Sequence, residues 1–226
     1  MPEPASLLEE LRLQYEAARA SPHAHADVPD FQTIDKRLRT AFRWLEKAIA
    51  YLDGVKPPIA HRFDLGQGLV FGTPRFDRGF VGQHEQRIAG FPVLDEINIS
   101  YTISAAAPAA LEVAPGSLPL VERRLDDAGL QYIARHVERQ DGTLRACALS
   151  VAPRIPAAVA FRADYRTGIV TVTLTNVDRF DRVSLEFPSE GLDERALDDL
   201  LRLVLGRGDA FLHRAPLAGV HGKPSR

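Results

Sequence analysis

Residues 30–54 carry the most regular hydrophobic pattern of the chain. Apolar side chains recur at steps of three and four, which places them on one stripe of an α-helix, while the opposite face is charged. The stripe comprises Ile34, Leu38, Ala41, Phe42, Leu45, Ala48, Ile49 and Leu52. Asp30 is suited to cap the start of this helix, and Gly54 followed by Pro57 is suited to end it. We predict a long helix whose apolar stripe packs on a sheet, with a two-helix self-association contact as the alternative.

Beyond this helix the hydrophobic period becomes alternating, the pattern of strands with one buried face. The alternating runs occupy residues 59–65, 97–103, 132–138, 143–151, 159–165, 170–175 and 183–187. Short turns join most of these runs, which favours an antiparallel sheet over a doubly wound parallel one. Two shorter helices are predicted, one ended by Gly129 and one running from Asp193 to Gly206. The predicted fold is α+β, with a curved or split antiparallel sheet of about seven or eight strands packed on the long N-terminal helix and the two shorter helices.

The same patterns divide the chain into three parts. Residues 30–215 are predicted to form a single α+β domain. Residues 1–29 are predicted to hold a short amphipathic helix and a linker, and the Pro- and Gly-rich residues 216–226 a disordered tail. The Ala- and Pro-rich run at residues 105–116 is a candidate internal boundary, because it shows neither strand alternation nor a helical stripe.

A predicted hairpin places the single cysteine opposite a histidine. Asp141-Gly142 lies between two extended runs and suits a two-residue type I′ turn. Counting outward from this turn pairs His136 with Cys147 and Glu138 with Arg145. An adjacent imidazole can stabilise the thiolate that makes cysteine nucleophilic. The pair falls in the middle of a sheet, where cysteine usually serves as buried packing, and we assign no catalytic residue.

The segment 74–92 contains the candidate ligand-binding residues. Glycines and prolines punctuate it, and three phenylalanines lie between them. Two interpretations remain open: an irregular hairpin with solvated arginines, or a loop folded over a pocket. In the second, Arg75, Arg78 and Arg87 line an anion-binding mouth.

Composition narrows the function classes. The chain has 226 residues, 45% of them hydrophobic, which is enough for a substantial core. A net charge of −2 gives no general basic field, which argues against nucleic acid as a partner. The single cysteine excludes an internal disulfide and a cysteine-based zinc cage. The sequence shows neither a signal-peptide pattern nor an apolar run of about 20 residues, so we expect a cytoplasmic protein that does not enter the membrane.

No motif in the sequence indicates a metal, a cofactor or a reaction. The glycines at 66, 68 and 72 lack the following helix that a nucleotide-binding loop requires. We therefore expect a soluble, non-enzymatic protein that binds a protein partner or assembles with itself, for instance as a homodimer. The alternative is a protein that binds a small anionic ligand in a pocket between the sheet and the 74–92 segment. An enzyme is the third hypothesis, for which His136, Cys147 and His61 are the only side chains that we can name.

Overall fold

The computed structural model describes residues 31–66, 68–138 and 144–221. These ranges contain three α-helices, which are α1 (Phe31–Val55), α2 (Leu118–Asp127) and α3 (Glu194–Val204). They also contain eleven strands, which are β1 (Phe63–Asp64), β2 (Val70–Phe71), β3 (Arg75–Ile88), β4 (Phe91–Ser104), β5 (Ala109–Val113), β6 (Tyr132–Glu138), β7 (Leu144–Val151), β8 (Arg154–Asp164), β9 (Ile169–Thr175), β10 (Arg182–Pro188) and β11 (Leu217–His221). None of the helices in these ranges is long and apolar enough to cross a membrane.

The strands form three antiparallel sheets. Six strands make the largest sheet, in the order β11-β10-β9-β8-β4-β3, while β5-β7-β6 and β1-β2 make the other two. The β5–β7 ladder follows the β4–β8 ladder along the chain, separated from it only by residues 105–108 on one strand and 152–153 on the other. The large sheet therefore joins strands from both sides of the Ala- and Pro-rich run. The α+β class and the split antiparallel sheet are confirmed, with more strands than the pattern predicted.

Helix α1 covers one face of the large sheet. Its predicted stripe is buried, with Leu45 fully inaccessible and Ile49 only 6% exposed, and it packs on β3 and β4. A Cβ atom at Gly79 of β3 would lie 2.9 Å from the Ile49 side chain, so only glycine allows the helix to approach this closely. The apolar stripe thus belongs to the core of the single chain.

The end of α1 differs from the prediction. Gly54 lies inside the helix, and Lys56 instead takes the left-handed conformation, with φ of 47°. The Lys56 N–H donates to the carbonyl oxygen of Leu52 at 2.7 Å. The carbonyl oxygen of Lys56 accepts from the guanidinium of Arg75 at 3.0 Å. These two bonds hold a conformation that a lysine adopts rarely, and Pro57 prevents further helix. The predicted stop at Gly54 is wrong.

The run at 59–65, predicted as a strand, is mostly irregular, and only Phe63–Asp64 forms β1. This run is instead hydrogen-bonded to the C-terminal end of α3. Ala60 N–H donates to the carbonyl oxygen of Leu205 at 2.9 Å, and His61 Nε2 is hydrogen-bonded to that of Leu203. Gly206 permits this contact, because it has φ of 68° and a Cβ atom there would lie 2.7 Å from the backbone nitrogen of His61. The predicted glycine stop at Gly206 is confirmed.

Several predicted features lie outside the described residues. These are the Asp30 cap, the helix in residues 1–29, the Asp141-Gly142 turn and residues 222–226. In the described part of the predicted tail, β11 pairs with β10 over Leu217–His221.

The segment 74–92 forms β3, the turn and the start of β4 in a long hairpin with two register shifts. Strands β3 and β4 pair from Arg75↔Ser104 to Ile88↔Phe91, and Ala89 and Gly90 make the connection. Both connecting residues have positive φ, 50° and 84°, as a type I′ turn requires. The hairpin interpretation of this segment is confirmed.

A bulge in β4 is tied to two other elements. Asp95 has no partner on β3, and the neighbouring Leu94, which lies opposite Glu85, makes hydrogen bonds to side chains outside this ladder. The Leu94 N–H donates to Asp35 Oδ1 of α1 at 2.7 Å, and its carbonyl oxygen accepts from the Tyr165 hydroxyl at 2.7 Å. Burial raises the pKa of Tyr165 well above its usual range, so this hydroxyl keeps its proton. Asp35 also accepts from Arg39 at 2.8 Å.

We expect Ala89→Asn to stabilise the protein by about 0.5–1 kcal/mol, because asparagine tolerates the left-handed conformation better than alanine and Asn-Gly favours the type I′ turn. Urea unfolding measures the change. Ala110→Asn, on an exposed strand position of β5, is the matched control and should not stabilise. An equal effect at both positions would show that the turn conformation is not the cause.

We expect Tyr165→Phe to destabilise the protein by about 1–3 kcal/mol, because it leaves the buried Leu94 carbonyl without its donor. Asp35→Ala should act through the N–H of the same residue, and the two changes should be non-additive, since both act on the backbone of Leu94. A double-mutant cycle in urea tests this. Strict additivity would show that the two bonds do not act together.

Candidate binding surface

The face of the large sheet opposite α1 remains accessible to solvent. It carries small and hydroxylated side chains that the strand register aligns in rows. One row contains Phe80, Ser100, Ala158, Thr175 and Arg182. The next contains Gly82, Asn98, Ala160, Thr173 and Ser184. This surface, called the trough below, is about 19 Å across from the first strand of a row to the fifth, with the exposed ring of Phe80 on one side.

Charged side chains close the trough at the end nearer the hairpin turn. Glu96 accepts from Asn98 at 2.7 Å and from Arg162 at 3.1 Å, and these hydrogen bonds, that of Asn98 first, hold the pKa of Glu96 below its usual range. His84 Nδ1 lies 2.7 Å from Asp95 Oδ1. These groups are paired with one another.

The other end of the trough deepens into a groove of about 530 Å³. Ser100, Ala158 and Thr175 form its floor, and Arg78 and Phe80 stand on the β3 side. The remaining sides are formed by Arg182 on β10 and by the C-terminal end of α2, residues 126–129. The groove lies within the size range of small-molecule sites.

Asn176 fixes the wall that α2 contributes. Its side chain is buried, and its Nδ2 donates to the carbonyl oxygens of Ala128 at 2.9 Å and Pro156 at 2.8 Å. Asn176 itself takes the left-handed conformation, with φ of 51°, which asparagine tolerates better than most residues. Both amide protons are therefore used to join the end of α2 to β8, and the groove keeps a defined shape.

The three predicted ligand-binding arginines do not lie together. Arg78 lines the groove, whereas Arg75 donates to the carbonyl oxygen of Lys56, the residue that follows α1. Arg87 lies opposite Pro92 at the far end of the hairpin, about 30 Å from Arg78 along the strand. A role for each in ligand binding stays a prediction.

The predicted register of His136 with Cys147 is confirmed. The Cys147 side chain is fully buried, while His136 is exposed, so solvent does not reach the thiol. The prediction that Glu138 faces Arg145 is wrong, because a register shift after Val137 pairs Glu138 with Leu144. Within the described ranges, no three His, Cys, Asp or Glu side chains are grouped as a metal site requires.

A further charged cluster, not anticipated from the sequence, lies in the loop between β9 and β10. Arg179 Nε lies 2.7 Å from Asp181 and 3.6 Å from Asp178. Burial raises the pKa of Asp181, and Arg179 opposes this shift. The neighbouring Phe180 packs on Phe63 and Phe71, so the loop is part of the core packing.

Strand β3 forms one edge of the large sheet, beside β4. Its backbone N–H and C=O groups therefore point alternately toward β4 and away from the sheet. Gly79 N–H donates to Asp53 Oδ1 of α1 at 2.7 Å, which shows that it points away from β4. Backbone groups alternate along a strand, so the N–H and C=O groups of Val81, Gln83, Glu85 and Arg87 share this outward direction.

The partner strand supports this assignment. Pro92 has no N–H to offer, and it lies opposite Arg87, where β3 directs its own groups outward. In the described chain β4 is the strand that pairs with β3, apart from a single bridge between Arg75 and Pro58. Among the described residues, the outward groups from Val81 to Arg87 therefore form a free strand edge.

No protein-family model matches this chain, and neither the curated proteins nor the solved structures yielded a match.

We expect the amides of β3 to exchange hydrogen in an alternating pattern. Those of Val81, Gln83 and Glu85 should exchange faster than those of Gly82 and His84, because the latter are bonded to β4. Residue-resolved NMR exchange on the full chain measures this. Equal protection of both sets would contradict a free edge and would show that another segment or another copy pairs with it.

Proposed function

We propose that the protein binds an extended, acidic segment of another polypeptide, which adds to the large sheet as a strand beside β3. The free edge from Val81 to Arg87 is the observation that carries this proposal. Four residues there offer outward N–H and C=O groups, and a strand partner satisfies such groups with main-chain hydrogen bonds. This narrows the expected protein-binding role to one surface and one kind of partner.

The charges near the edge favour an acidic partner. Two carboxylates on this side are paired with cations, because Arg39 contacts Glu85 at 2.8 Å and Lys56 contacts Asp77 at 3.2 Å. A third, Asp53, accepts from the Gly79 N–H. Arg87 forms none of the ion pairs within the described ranges. Helix α1 packs on β3. Its exposed charged side chains are those of Lys36, Arg43 and Lys47 and the single carboxylate of Glu46. Acidic side chains on the partner would complement this excess of cations.

The same charges disfavour pairing between two copies of this chain. An antiparallel pair of β3 strands continues the sheet across a two-fold axis and places both α1 helices on the same face. The exposed lysines and arginines of the two helices then approach each other, and like charges oppose the contact. Self-assembly, the other half of the sequence-based expectation, becomes one outcome of the test.

The edge is held in position before any partner arrives. Arg39 joins α1 to Glu85 of β3, and Asp35 joins the same helix to Leu94 of β4. A rigid edge loses little conformational entropy on binding, so more of the hydrogen-bond energy is available for affinity. Each main-chain bond contributes about 0.5–1.5 kcal/mol net.

Substitution of Gln83 tests the proposal. Proline at this position removes an outward N–H and places its ring on the free edge, while the bonds to β4 stay intact. Gln83→Ala is the matched control, because it removes the side chain and keeps the N–H. Peptides selected from a displayed library of random 12-residue sequences on the wild-type protein are the probe.

We expect selected peptides to be rich in Asp and Glu, to lose at least tenfold in affinity on Gln83→Pro, and to stay within twofold on Gln83→Ala. Thermal melting of both variants verifies that each is folded. Peptides that bind all three proteins equally would refute strand addition at β3. Light scattering on the same proteins detects self-assembly, and a dimer lost only in Gln83→Pro would replace the foreign partner by a second copy.

A further inference from the structure

The groove beside α2 separates charges of opposite sign on its two kinds of wall. Arg78 and Arg182 come from strands, and Asp126 and Asp127 come from the C-terminal end of the helix. Arg182 Nε donates to the Thr175 hydroxyl over a long 3.4 Å, and neither Arg182 nor Arg78 forms any of the ion pairs within the described ranges. Both guanidinium groups therefore retain donors for a ligand.

The helix end favours a cation. Carbonyl groups and the helix dipole make the C-terminus of a helix negative, and Asp126 and Asp127 add two carboxylates there. An anion alone meets attraction at the arginines and repulsion at this wall. A ligand that carries both charges satisfies both walls at once.

The groove also offers an apolar surface and a fixed outline. The Phe80 side chain is 69% exposed, and its ring edge lies over Gly82, 3.2 Å from the position a Cβ atom would take. The opposite wall is set by Asn176 and by Gly129, which takes φ of 67° against Pro156. The floor of small side chains leaves the space between these walls open.

We propose that the groove binds a small zwitterion, either an amino acid or a short peptide with free ends. Its carboxylate meets Arg78 and Arg182, its ammonium group meets Asp126 and Asp127, and an apolar side chain packs on Phe80. Arginine is suited to the first contact because its planar fork matches a carboxylate. This site is separate from the free edge of β3 and does not depend on strand addition.

The tripeptide Ala-Phe-Ala and two capped forms of it test the proposal. The C-terminal amide removes the negative charge, and the N-acetyl form removes the positive charge. Titrations followed by NMR on the full chain report the affinity and the position, through the amides of Ser100, Ala158 and Thr175. We expect the free peptide to bind at this position and each capped form to bind at least tenfold more weakly.

Variants assign each charge to its wall. In Arg182→Gln the free and amidated peptides should bind alike, and in Asp127→Asn the free and acetylated peptides should bind alike. Arg182→Lys should recover part of the preference for a free carboxylate. Arg195→Gln, an exposed arginine on α3, is the matched control and should behave as the wild type.

The outcomes decide between this proposal and the preceding one. No saturable shifts at the groove, or capped peptides that bind within twofold of the free one, overturn the zwitterion site. Gln83→Pro should bind Ala-Phe-Ala as the wild type does, so loss of strand addition leaves this result unchanged. Tripeptide binding abolished by Gln83→Pro would place the peptide on the edge of β3 and would also overturn the site.

Discussion

The backbone of Leu94 is the constraint on which the arrangement of the hairpin depends. Its N–H and C=O leave the β4 ladder at the bulge and are buried, so each needs a partner from another element. Asp35 of α1 and Tyr165 between β8 and β9 supply those partners at 2.7 Å each. A helix, a hairpin and a turn are thereby joined at a single backbone position, and slippage of any one of them leaves a polar group unpaired.

This junction holds α1 against one face of the large sheet and leaves the opposite face uncovered. With α1 held against β3 and β4, the apolar face is closed, while the hydroxyl-rich face and the outer edge of β3 stay open. The open face needs no cover because its alanine, serine and threonine side chains lose little by contact with water. Rigidity on one side therefore coexists with accessibility on the other, which is an arrangement suited to binding.

Hydrophobic period alone predicted the parts of the fold that burial determines. The stripe from Ile34 to Leu52 and the alternation from Ile97 to Ile103 report directly on the core, and both predictions were confirmed. The length of β3 could not be predicted in this way, because residues 83–87 are exposed on both faces and show no alternation. Its order comes from main-chain bonds to β4 and from the contact of Glu85 with Arg39. The groove was equally hidden, since Arg78 lies about 100 residues before Asn176 and Arg182 in sequence and meets them only through strand register.

Asp53 limits the length of β3 that has unoccupied outward N–H groups. It occupies the N–H of Gly79, and the N–H of Phe76 is likewise taken, by the carbonyl oxygen of Pro57. Outward donors are thus consumed by the chain itself on one side of Val81, and the hairpin turn ends the strand just after Arg87. A strand added at this edge would therefore find unoccupied outward N–H groups only from Val81 to Arg87 in the described chain.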